Sequence, residues 1–173
     1  MIMLTQRSKE GGKVSKPDRV ARKYITTNKK DFLEKVGELL PSMYGGLRIY
    51  SCVNKRNLEK SIRLFKQRQL DADYFDTHSR HSFYLDVKNR WVSALMNPKS
   101  ADECLFQFDC DTPEEYKQVK DTLIKQSITI ILDYPTKSGR HIITNPFNPQ
   151  LVNQYLKEGQ LNKDGMLLLA FNV

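Results

Sequence analysis

CLFQFDCDTPEEYKQVKDTLIKQSITIILDYPTKSGRHIIT, residues 104–144, decides how this chain is read. It opens inside ECLFQFD, residues 103–109, an apolar and β-prone run that reads as a strand. TPEEYKQVKDTLIKQ then carries its own helix start. Thr112 is placed as N-cap, Pro113 at the first helical position, and Glu114 and Glu115 in the first turn, where the helix dipole favours negative charge. SITIILDY is a second strand and RHIIT a third. PTKSG between them has the composition of a tight hairpin loop.

Downstream, PFNPQLVNQYLKEG reads as a capped helix and DGMLLLAFNV as a terminal strand. The second half is therefore strand, helix, strand, strand, helix, strand. That is the order of a split β-α-β core, and the expected class is α+β: an antiparallel sheet with helices on one face, ferredoxin-like or RNA-recognition-motif-like. Upstream, Phe32, Leu33, Val36, Leu39 and Leu40 have helical spacing, ended by Pro41 and Gly45-Gly46. LRIYSCV, residues 47–53, alternates with Leu47, Ile49, Ser51 and Val53 on one face, an extra strand that would extend the sheet. NLEKSIRLFKQRQL predicts a helix with Leu58, Ile62, Phe65 and Leu70 inward; its Lys60, Arg63, Lys66 and Arg68 have the ordinary reading of a solvated surface. Residues 72–97 are dense in aromatics, with a helix expected through DVKNRWVSALMN. Residues 1–28 are basic and poor in large apolar side chains, the composition of a flexible arm before a single domain at 29–173.

Composition bounds the function. A chain of 173 residues buries a core without staples. Cys52, Cys104 and Cys110 are odd in number and form no C-x-x-C pair, so they read as reduced thiols of a cytoplasmic protein without a zinc module. No apolar run approaches the roughly 20 residues of a membrane span, and the N-terminus lacks a signal-peptide core. A net charge of +8 favours polyanionic partners, nucleic acid first.

Asp109 and Asp111 alternate on a strand, so both project to one side. Like charges this close repel, and a hard divalent cation, Mg²⁺ or Mn²⁺, is the usual remedy. The structural alternative is a helix-capping Asp111 and a solvated Asp109. If the hairpin lies beside the first strand, Ser138, Arg140 and His141 come near these carboxylates. Lys137 and Arg140 then supply charge, Gly139 permits close backbone approach, and His141 donates to a phosphate oxygen or moves a proton. Metal-binding oxygens beside phosphate-holding groups are what phosphoryl transfer needs.

LFQFDCD and TKSGRHII together resemble the motifs of the archaeo-eukaryotic primase superfamily, above all the primase-polymerase domains of phages and plasmids. That family carries a hydrophobic-Asp-x-Asp motif, a Ser-x-His motif within a Ser-Gly-x-x-His run, and a third carboxylate on a later strand. The resemblance covers about residues 103–172. It implies a nucleotidyltransferase in which Asp109 and Asp111 hold catalytic metal while Ser138, Arg140 and His141 contact a nucleoside triphosphate. The third carboxylate departs from the pattern: Asn172 stands where an acid is expected, leaving Asp133 and Asp164 as candidates. A degenerate site implies instead a nucleotide- or nucleic-acid-binding module, an accessory protein or inhibitor, or a site completed by a protein partner. HSF at 81–83 and HIIT at 141–144 faintly resemble two-histidine phosphoesterases, but Thr144 stands too far from His141. The aromatics at 74–84 suit a core or an interaction surface.

Overall fold

The computed structural model describes residues 1–6, 19–43, 46–74 and 82–171. In chain order its strands and helices are β1 (Ile2–Gln6), β2 (Arg19–Tyr24), α1 (Lys29–Leu39), β3 (Leu47–Cys52), α2 (Leu58–Tyr74), α3 (Val87–Leu95), β4 (Phe106–Cys110), α4 (Pro113–Lys125), β5 (Ile130–Pro135), β6 (Arg140–Thr144), β7 (Leu161–Asn162) and β8 (Met166–Phe171). The fold is α+β. Packing divides the chain into two compact units: Met1–Val53 with Leu105–Val173, and Asn54–Cys104.

The first unit contains two antiparallel four-stranded sheets, ordered β2-β1-β3-β8 and β5-β6-β4-β7. The second is the split β-α-β arrangement: β4 sits inside, α4 crosses one face, and the β5–β6 hairpin returns beside β4. α4 forms as its sequence dictates. The Thr112 hydroxyl accepts from the Glu115 N–H at 3.2 Å, and Pro113 occupies the first turn. Val119 and Leu123 are then buried against Phe108, Cys110 and Ile142. Ser127, at φ 54°, takes the left-handed conformation that ends the helix.

Three expectations are corrected here. PFNPQLVNQYLKEG makes two short 3-10 turns, Pro149–Leu151 and Asn153–Tyr155, in place of a helix. Only Val152 is buried there, while Leu151 and Tyr155 are exposed, so no apolar stripe anchors a longer helix. DGMLLLAFNV does not supply the last strand of the second sheet. β7 fills that edge, and the chain then crosses at Gly165, where a Cβ would come within 2.1 Å of Gln107 Oε1, to place β8 in the first sheet. LRIYSCV likewise belongs to the first sheet, between β1 and β8.

The first sheet also absorbs both ends of the expected N-terminal arm. Ile2 and Leu4 are buried with Leu39, Leu47 and Ile49, and Phe32 and Val36 of α1 pack against them. Asn28 caps α1 by accepting from the Asp31 N–H at 2.9 Å. The rest of the expected arm, residues 7–18, lies outside the described residues.

In the second unit, α2 packs on α3 through Phe65 and Trp91, with ring centroids 5.8 Å apart, and Arg68 donates to Ser93 Oγ at 3.1 Å. The buried positions of α2 are Ser61 and Ala72, whereas Leu58, Ile62 and Leu70, expected inward, are exposed. Small side chains at 61 and 72 shift the buried stripe to the line through Phe65, at helical spacing of three and four. Among the described residues no helix is long and apolar enough to cross a membrane.

Candidate functional site

Strand alternation divides the second sheet into two chemically different faces. Phe106, Phe108 and Cys110 are buried, and α4 packs against Phe108 and Cys110. Gln107 and Asp109 point the other way. Asp109 is registered opposite His141 on β6, and His141 opposite Tyr134 on β5, so these side chains form one row across the sheet.

The row is hydrogen-bonded. His141 Nε2 lies 3.1 Å from Asp109 Oδ1. Its Nδ1 lies 3.0 Å from Gln107 Nε2 and 2.8 Å from the Tyr134 hydroxyl. His141 and Gln107 are buried, whereas the Asp109 side chain remains about half exposed. Burial pushes the Tyr134 phenol up to about 12; the Leu168 backbone amide opposes this, while the Asp109 charge adds to it. Tyr134 therefore stays protonated and able to donate.

Asp109 and Asp111 open into a cleft of about 180 Å³, also lined by Glu115, Lys157 and Gln160. Gln160 closes one side by accepting the Asp109 N–H at 3.0 Å through its carbonyl. Glu115 accepts from the Asp111 backbone N–H at 3.0 Å and pairs with the Lys157 ammonium. Its carboxyl is held below the ordinary range, first by Lys157 and then by that amide, with burial opposing. Cys110, between the aspartates, faces the core, and burial pushes its thiol up to about 12.

The Ser-Gly turn is seated directly on this strand end. A Cβ on Gly139 would come within 2.0 Å of the Cys110 carbonyl oxygen and 2.9 Å of Asp111 Cα, so only glycine admits this approach. Lys137 and Ser138 are exposed on that turn.

Arg140 and Asp133 are not part of the site. Both project to the α4 face, one residue out of phase with His141. Arg140 Nε and Nη2 donate to Asp133 Oδ1 at 2.9 and 2.7 Å, while Tyr116 and Lys120 donate to Oδ2 at 2.6 and 3.1 Å. This network commits Asp133 to four hydrogen bonds from α4 and β6, and it takes Arg140 away from any phosphate bound near Asp109. Asp164 lies on the turn between β7 and β8, outside the residues lining the cleft. Asn172 and His81 fall outside the described residues. Among the described residues, no group of three His, Cys, Asp or Glu side chains is arranged to hold a metal ion.

Sequence reasoning missed Gln107, Tyr134, Glu115 and Lys157. Gln107 carried a signal, because it shares strand parity with Asp109. Glu115, three residues after Thr112, stood where a capping-box acid reaches back past the helix start. No protein-family model matches the sequence, and no curated protein matches it significantly.

Proposed function

We propose that this chain binds a nucleoside triphosphate with Mg²⁺ or Mn²⁺ at Asp109 and Asp111, as a nucleotidyltransferase of the primase-polymerase type acting on nucleic acid. The observation that carries this reading is the 3.1 Å approach of Asp109 and His141, which joins two motifs separated by a helix and a strand. Hard carboxylate oxygens suit these cations, and Mg²⁺ is commonly held by only one or two carboxylates, with water and substrate phosphate completing its shell. The two exposed aspartates on one rim of the cleft fit that requirement. When bound, the cation supplies charge neutralisation for the phosphates.

The chain's own residues divide the remaining work. His141 holds one oxygen of Asp109, a residue that lines the cleft. The exposed Lys137-Ser138 turn, seated on Asp111 through Gly139, is the element assigned to the phosphate oxygens. Arg140, engaged by Asp133, is excluded from this role.

A second reading, nucleotide binding without turnover, is favoured by one observation: Asp133, a candidate third acid, is bound into the opposite face. Calorimetric titration of ATP and dATP, with Mn²⁺ and with chelator, tests the first claim. Binding should require the metal, disappear in Asp109→Ala/Asp111→Ala, and weaken in His141→Ala. Primer synthesis and extension assays then separate the two readings. No binding to the wild-type protein with Mn²⁺ would remove both.

A further inference from the structure

Asp109 Oδ1 faces His141 Nε2 at 3.1 Å, and a carboxylate only accepts. This contact favours a proton on Nε2. A neutral imidazole has one N–H, so Nδ1 is left as an acceptor, and both groups facing it can donate: Gln107 through its amide nitrogen at 3.0 Å and Tyr134 through its hydroxyl at 2.8 Å. Gln107 is 4% exposed, and its side chain is confined by Gly165, where there is no room for a Cβ.

We propose that Gln107 and Tyr134 are positioning residues that clamp His141 as the Nε2–H tautomer, directing its N–H to Asp109 and to anionic substrate oxygens docking beside it. The significance for substrate rests on the nucleotide-site reading; the tautomer does not. Two donors converging on Nδ1 give Nε2 an orienting role toward Asp109, as outer-shell partners do for metal-bound groups elsewhere. Gly165 is part of the same device, since any side chain there would displace the Gln107 amide.

The test is long-range ¹H–¹⁵N correlation of the imidazole in ¹⁵N-histidine-labelled full-length protein at one neutral pH. The expected wild-type signature for His141 is a protonated Nε2 and an unprotonated Nδ1. Gln107→Met with Tyr134→Phe should produce a tautomer mixture, and Gln107→Glu, which can only accept, should put a proton on Nδ1. Mn²⁺·ATP binding should weaken about ten- to a hundredfold in the double variant. A wild-type His141 protonated on Nδ1, or a double variant that is folded and keeps the pure Nε2–H signature, overturns the clamp. If the double variant does not fold, Gln107→Glu takes its place, and a folded Gln107→Glu protein that keeps an unprotonated Nδ1 overturns the clamp. The expected tautomer pattern without any nucleotide binding supports the clamp while overturning the nucleotide-site reading, so the two failures are distinguishable.

Discussion

Asp133 and Asp109 show how two carboxylates of one sheet meet different surroundings, the first bound among α4 and β6 side chains and the second paired with His141 on the other face. Burial pushes the Asp133 carboxyl up, but hydrogen bonds from Tyr116, Arg140 and Lys120 outweigh it, and the net shift is downward. A carboxylate whose folded pKa lies below its unfolded value of about 3.9 contributes its full stability above that pH and loses it as pH falls through the folded pKa. Asp133→Asn should therefore cost on the order of 2 kcal/mol near pH 7. The difference from wild type should shrink as pH drops below about 4, measured by urea denaturation across pH. Arg140→Ala should also destabilise the protein yet leave metal-dependent nucleotide binding intact, because its guanidinium is held on the α4 face. Cys110 gives an independent reporter of the site strand. Its thiol is buried and raised to about 12, whereas Cys104 is exposed, so a thiol-reactive chromophore should label Cys104 in the native protein and Cys110 only on unfolding.

At the scale of elements, the β4-α4-β5-β6 segment is the part most legible in the sequence. Alternation in LFQFD, the Thr112-Pro113 start and the glycine turn each act locally, and each took the form its chemistry dictates. What escaped reading depends on partners distant in sequence. Gln107 and Tyr134 become neighbours of His141 only once strand order and register are known. The split of LNKDGMLLLAF between two sheets depends on the fit of Gly165 against Gln107. The β1 and β2 strands pair across residues outside the described part, and local composition pointed instead to an arm. Two substitutions test the elements themselves. Ser127→Gly should stabilise by about 1 kcal/mol, since glycine occupies the left-handed region without the Cβ clash, and the gain is read as a higher Tm. Gly139→Ala should do the reverse, by about 1–3 kcal/mol, because the atom in its way is backbone and the whole hairpin must shift. The same variant should weaken nucleotide binding, because that shift moves the Lys137-Ser138 turn off Asp111.

For the molecule as a whole, charge is the property that sequence alone reports fully, and it separates two modes of binding. The net charge is +8, yet the candidate cleft is lined by Asp109, Asp111 and Glu115. Residues 1–28 hold seven Lys or Arg against two acids. A polyanion should therefore be attracted chiefly by residues other than those that line the cleft. Binding of a labelled single-stranded oligonucleotide, followed by fluorescence anisotropy over a salt series, should weaken linearly on logarithmic axes as counterions are released. Replacing Lys9, Lys13 and Lys16 with alanine should flatten that slope by about 2, at roughly 0.7 for each single-strand phosphate that a lysine no longer neutralises. Asp109→Ala/Asp111→Ala should leave the slope unchanged or tighten oligonucleotide binding slightly, because it removes negative charge, even as it abolishes metal-dependent nucleotide binding. If the aspartate variant instead lost oligonucleotide binding with the slope intact, strand and nucleotide would share the cleft. The basic N-terminal segment would then have to be reassigned from strand capture to an ordinary solvated surface.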